Sequence, residues 1–111
     1  MRLKIERGGI WWINLDPARG AEIRKQRPYV VLSANAINRW RATPVVVPLS
    51  ASPQDPPPVV VAMPSAGKDS VAVVDQVRAV DRSRFVSRGG RLSSKDIGSL
   101  ETALKRVLEL P

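Results

Sequence analysis

The chain has 111 residues, 43% of them hydrophobic and 25% charged, the balance of one folded domain spanning 1–111 and not of a disordered or fibrous chain. Eighteen Lys and Arg against ten Asp and Glu leave a formal net charge of +8, which favours a polyanionic partner such as nucleic acid, an acidic protein or an anionic surface. With no cysteine and no histidine, disulfides, thiolate or histidine catalysis and the commonest zinc ligands are excluded, and no apolar run reaches the length of a membrane helix or a secretory signal, so a metal-free, cofactor-free cytoplasmic protein is expected.

In chain order, the first strand-like run is Ile10 to Leu15, within which Trp11 and Trp12 are adjacent. Neighbours on a strand point to opposite faces, so one ring is expected in the core and the other outside, free to stack on a base, cover the helix or enter an interface. The loop RGAEIRKQRP follows, with Arg19, Arg24, Lys25 and Arg27 surrounding the single carboxylate Glu22 and Pro28 ending the run. Tyr29 to Ser33, Val45 to Leu49, Val59 to Met63, Ser70 to Val74 and Gln76 to Val80 complete the predicted strands, bounded by Gly, Pro, Asn and Asp. Pro48 inside VVVPLS predicts an edge, bulge or corner.

The connections divide by composition. Asn35 to Arg41 and Asp81 to Phe85 read as short helical turns, and the run from Ser52 to Pro58 as a proline-stiffened loop. Trp40 with Arg39 and Arg41 forms a basic-aromatic cluster suited either to nucleic acid or to plugging the edge of the core. Arg82, Arg84, Arg88 and Arg91 are expected to spread positive field along one rim. From Ser94 onward Ile97, Leu100, Ala103, Leu104, Val107 and Leu108 recur at helical spacing, with Ser93 or Ser94 as N-cap, Asp96 at the positive end, and Gly98 weakening the start. The expectation is mainly β: a small antiparallel barrel with a packed C-terminal helix.

An enzyme of this composition works with Arg, Lys, Asp, Glu, Ser and Thr. Attack of an RNA 2′-hydroxyl on its own phosphate suits that set, because the substrate brings the nucleophile and the protein supplies positioning, charge and proton transfer. The segments RGGIWWINLDPARGAE, RPYVVLSANAIN, VVVPLS, DSVAVVDQVRAVDRSRF and the closing RLSSKDIGSLETALKRVLEL, in this order and spacing, resemble the MazF/PemK family of toxin endoribonucleases.

The resemblance implies an SH3-like, CcdB/PemK-type barrel, a homodimer, metal-independent cleavage of single-stranded RNA at short motifs, and neutralisation by a cognate antitoxin protein. It makes Arg27 the contact to the scissile phosphate and a participant in proton transfer, Ser50 a hydroxyl stabilising the transition state, and Glu22 the candidate general base or an RNA contact. Arg24, Lys25, Gln26, Asp75 and Gln76 become RNA-binding candidates. Glu22-Ile23 replaces the family's Glu-Gln, and the cations Arg24 and Lys25 stand where the family's loop is Gly-rich, adding phosphate affinity without base readout. Each assignment has a plainer alternative: an exposed Arg27–Glu22 ion pair, a turn role for Ser50, a solvated Glu22, and a strand-ending Asp75. Two other functions stay open, a non-catalytic gyrase inhibitor of the CcdB type and an inert RNA-binding barrel.

Overall fold

The computed structural model describes residues 3–15, 26–51 and 55–111. Its strands are β1 (Gly9–Asn14), β2 (Gln26–Val31), β3 (Val45–Ser50), β4 (Val60–Ala62), β5 (Val71–Val73), β6 (Arg78–Ala79) and β7 (Phe85–Arg91), with helices α1 (Asn35–Trp40) and α2 (Ser94–Val107). All pairings are antiparallel, in the order β4-β5-β3-β2-β1-β7, with β6 attached to β3. The mainly β fold with a C-terminal helix is as expected, but the barrel does not close: β4 and β7 are the two ends of an open sheet. The ends are blunted, one being three residues long and the other carrying charges, glycines and two register shifts.

Alternation along the strands sorts apolar side chains into two cores. Ile10, Val30, Val47, Leu49 and Ala72 face α2, where Leu100 and Ala103 cover them together with Met63, Val74 and Leu92. On the other face Trp11, Ile13, Tyr29, Val31, Val46, Val80 and Phe85 pack with Ile5 from the N-terminal segment. Trp11 is therefore the inward ring, edge-on to Phe85 at 5.6 Å between centroids. Trp12 is 39% exposed on the opposite side of the strand.

Tertiary pairing added one strand to those expected and broke up another. β7 was not expected, since FVSRGGR lacks apolar alternation; it exists because β1 offers it a ladder. Gln76 to Val80 is not one strand: a 3-10 turn at Val74–Gln76 precedes the two-residue β6. Pro48 proves to be a corner within β3, whose first residues, Val45 and Val46, pair with β6 while Leu49 and Ser50 pair with β5.

The connections are tied by side chains. Buried Asn38 of α1 donates to the Ser33 carbonyl at 2.9 Å and shares a short bond with the Ser33 hydroxyl, which accepts from the Val45 amide at 2.9 Å. Arg7 donates to the Leu32 carbonyl at 2.9 Å and pairs with Glu101 of α2 at 2.6 Å. Arg82 donates to the Leu3 carbonyl at 3.0 Å, a staple and not merely part of a charged rim. Ser93 caps α2, accepting from the Asp96 amide at 3.1 Å, and the helix runs through Gly98. Among the described residues no helix is long and apolar enough to cross a membrane.

The helical turn expected over Asp81 to Phe85 is a 3-10 turn at Arg82–Arg84, capped by Asp81, which accepts from the Ser83 amide at 2.9 Å. That backbone bond, then the Ser83 hydroxyl, with Arg84 adding attraction, holds the Asp81 carboxyl below its ordinary value. A depressed folded-state pKa means the cap's contribution is full above the unfolded carboxylate value near about 3.9 and disappears as pH falls through the lower folded value. Thermal melts of Asp81→Asn across the acid range should show a shallower loss of stability with falling pH than the parent chain. Leu100, fully buried between helix and sheet, is the sharper test of the core: Leu100→Ala should cost about 2–5 kcal/mol in urea unfolding.

Candidate active site

The β2–β3 ladder positions the site. Its register pairs Tyr29 with Pro48, Val30 with Val47 and Val31 with Val46. The Leu32 amide donates to the Val45 carbonyl at 2.9 Å, so alternate residues of β3 starting at Val45 turn their backbone groups toward β2. Continued two residues past Tyr29 and Pro48, the register sets Arg27 opposite Ser50. The ladder ends just before them because Pro28 has no N–H to give Leu49. By the same alternation the two fall at a non-hydrogen-bonded position of that extended register.

The pair lines a cleft of about 620 Å³. Ile10, Trp12, Pro28 and Leu49 supply apolar wall, and Ala66, Gly67, Lys68, Asp69 and Ser70 form the opposite rim. Arg27 and Ser50 share the face of Tyr29 and Pro48, turned away from α2, yet border the cleft near the ends of β2 and β3. Arg27 is exposed and has no hydrogen bond or ion pair to another described residue, whereas Ser50 is half-buried and engaged. A guanidinium with no side-chain partner among the described residues, beside a hydroxyl and an apolar wall, suits a phosphate flanked by a planar ring.

Trp12 owes its position to a glycine. A register shift between Ile10 and Trp11 makes Gly89 an extra residue in β7, and a Cβ built there would lie 3.1 Å from the Trp12 Nε1 and 3.3 Å from the Ile10 Cγ2. Glycine lets the indole lie against β7 without the few tenths of an ångström of displacement that a Cβ there would force on it.

The remaining candidates separate. Glu22, Arg24 and Lys25 lie outside the described residues. Gln26 is exposed at the start of β2, one residue before Arg27. Asp75 and Gln76 are exposed on the 3-10 turn after β5 and do not line the cleft. Lys68 and Asp69 do, although nothing in their local pattern marks them; only the folding of the β4–β5 connection over the strand ends brings them there. Trp40 does not plug the core: it is 83% exposed and borders a separate cavity of about 510 Å³ with Leu3, Lys4, Arg39 and Arg82.

The chain is similar to known proteins over nearly its whole length. The family model for the PemK-like, MazF-like toxin of type II toxin-antitoxin systems matches residues 6–108. Endoribonuclease MazF9 of Mycobacterium tuberculosis is 35% identical over 96% of this chain and 98% of its own length, and endoribonuclease EndoA of Bacillus subtilis is 27% identical over 96% of each. A solved mycobacterial endoribonuclease, in complex with its cognate antitoxin, superposes with a TM-score of 0.77 at 26% identity, covering 97% of this chain and 96% of that one. The match runs from the N-terminal segment through β1 and the Arg27–Ser50 strand pair to the last turn of α2, and the chain accordingly belongs to the PemK-like, MazF-like toxins of type II toxin-antitoxin systems.

Proposed function

We propose that this protein is an endoribonuclease toxin that holds single-stranded RNA in the Arg27–Ser50 cleft and cleaves it at a short sequence motif, without a metal ion. The observation that carries the reading is that Arg27, Ser50 and the exposed Trp12 line one cleft. The named activity of the relatives supports it.

The chemistry follows from what the two side chains offer. In the reaction the 2′-oxygen bonds to the adjacent phosphorus, the bond to the 5′-oxygen breaks, and the products are a 2′,3′-cyclic phosphate and a 5′-hydroxyl. Negative charge accumulates on the non-bridging oxygens as the phosphorus becomes five-coordinate. Arg27, always protonated and planar, can engage two of them, and the Ser50 hydroxyl can donate to the same developing charge. The 2′-hydroxyl proton needs an acceptor, for which the Glu22 carboxylate is the candidate, and the leaving 5′-oxygen takes a proton from solvent water, a transfer in which Arg27, still protonated, takes part by hydrogen-bonding that oxygen. No step requires a Lewis acid.

Trp12 offers a π-face to a base next to the cut, and stacking of this kind tolerates any base. Base choice must then come from hydrogen bonds elsewhere, with Gln26 next to the cleft and Arg24 and Lys25 in the preceding segment as candidates. Asp75 and Gln76 would meet an RNA only beyond the cleft. The toxin is proposed to act in the cytoplasm as a homodimer, for which the exposed Val86, Leu108 and Leu110 leave apolar surface, and to be neutralised by a cognate antitoxin, as in the mycobacterial complex.

Cleavage of a long single-stranded RNA in the presence of chelator tests the reading. Arg27→Ala and Ser50→Ala should each lose about 10²-fold or more in rate while melting like the parent chain, and Ser50→Thr, which keeps the donor, should retain activity. Sequencing of 5′-hydroxyl ends from a complex RNA pool should return one short motif. Near-parental cleavage by Arg27→Ala, or no such ends above background, would overturn the assignment.

A further inference from the structure

The rim of the cleft opposite Arg27 is a braced turn. Between β4 and β5 the chain folds on itself: the Met63 amide donates to the Ser70 carbonyl at 2.8 Å, the Ala66 amide to Met63 at 2.9 Å, and the Ser70 amide to Gly67 at 3.0 Å. Gly67 has φ +146°, open to glycine and strained for other residues, and it turns the chain so that Lys68 and Asp69 form the tip. Lys68 lines the cleft, is exposed, and has no hydrogen bond or ion pair to another described residue.

The brace comes from α2. Asp96 is 4% exposed, and its Oδ2 accepts from the Ser65 amide at 2.8 Å and from the Ser65 hydroxyl in a short bond. The same hydroxyl accepts from the Ser93 amide at 3.0 Å. Ser65 sits in the 3-10 turn Pro64–Ala66, directly before the rim. A helix anchored in the main core thus grips the residue from which the rim departs.

We propose that Lys68 is a second phosphate-contacting cation of the cleft, engaging an RNA phosphate neighbouring the one held by Arg27, and that Asp96 is the positioning residue that keeps Lys68 there through Ser65. The proposal rests on the RNA-cleft reading above. Two cations on opposite sides of one cleft, each left uncompensated among the described residues, match the spaced charges of a nucleic-acid backbone better than one compact anion. Lys suits this place because a flexible point charge holds a passing phosphate without imposing the bidentate geometry that the reacting one needs.

The test uses the full chain and a mixed-sequence 2′-O-methyl RNA oligonucleotide, which lacks the nucleophile and is bound without being cut. Each phosphate contact in single-stranded RNA contributes about 0.7 to the slope of log affinity against log salt, so Lys68→Ala should make that slope shallower by about 0.7. On cleavable RNA it should raise KM with kcat unchanged, the mark of lost ground-state binding. Asp96→Asn should reproduce part of the slope change in the parent background and none in the Lys68→Ala background, because its effect passes through Lys68. If Asp96→Asn fails to fold, Ser65→Ala, which keeps the backbone bond to Asp96, takes its place in the same cycle. An unchanged slope for Lys68→Ala, with the parent chain still cleaving RNA, would overturn the proposal alone. Equal effects of the Asp96 variant in both backgrounds would remove its positioning role, and a parent chain that neither binds nor cuts RNA would remove the functional reading as well.

Discussion

The structure depends on the register between β2 and β3. Successive side chains of these strands enter different cores, Val30 and Val47 toward α2 and Val31 and Val46 toward Trp11 and Phe85. A slip of one residue would exchange the two sets, and both faces are filled, so the register has no comparable alternative. The chemistry inherits that precision. Arg27 and Ser50 are distant in sequence and belong to no common turn or helix; they meet because four valines cannot be shifted without emptying two cores. Buried side chains with few rotamers thereby fix the relative placement of two polar ones at the solvent edge.

The other side of the cleft is held by different physics. Its rim is short, polar and exposed, with too little apolar surface to anchor itself, and its order comes from hydrogen bonds to an acid on α2. Burying a carboxylate is costly unless it is hydrogen-bonded, and the two bonds that Ser65 donates to the Asp96 Oδ2 offset that cost while joining helix, turn and rim. One wall is set by packing and the other by polar bonding, which lets the walls be made from separate parts of the chain.

Much of this was readable beforehand, for reasons that differ by element. Runs of valine and isoleucine ended by Gly, Pro and Asn place the central strands, and the spacing of Ile97, Leu100, Ala103 and Leu104 places α2 on the sheet. β7 escaped because its strand character is lent by β1, and the stretch around Gln76 misled because Val77 and Ala79 alternate like a strand, whereas Gln76 closes a turn and only Arg78 and Ala79 pair. Arg27 and Ser50 were legible as a pair only through family resemblance, since a register is a property of two strands together. Lys68 carried no sign at all. Asp96 was read as a charge favoured by the helix end, a role many acids fill equally well, and its bonds to Ser65 depend on a turn some thirty residues upstream.

Pro48 has a consequence of another kind. Since residues of β3 turn their amides alternately to either side, with Val45 facing β2, position 48 would turn its amide toward the side where β6 gives way to β5. At such a handover an ordinary residue brings a donor that neither strand is placed to accept, in a buried part of the sheet where an unmet N–H costs about 1–3 kcal/mol. Proline has no donor to strand. One strand can therefore serve two half-sheets, carrying the core register on one stretch and the Ser50 hydroxyl on the next, with a seam between them that leaves no unmet N–H behind.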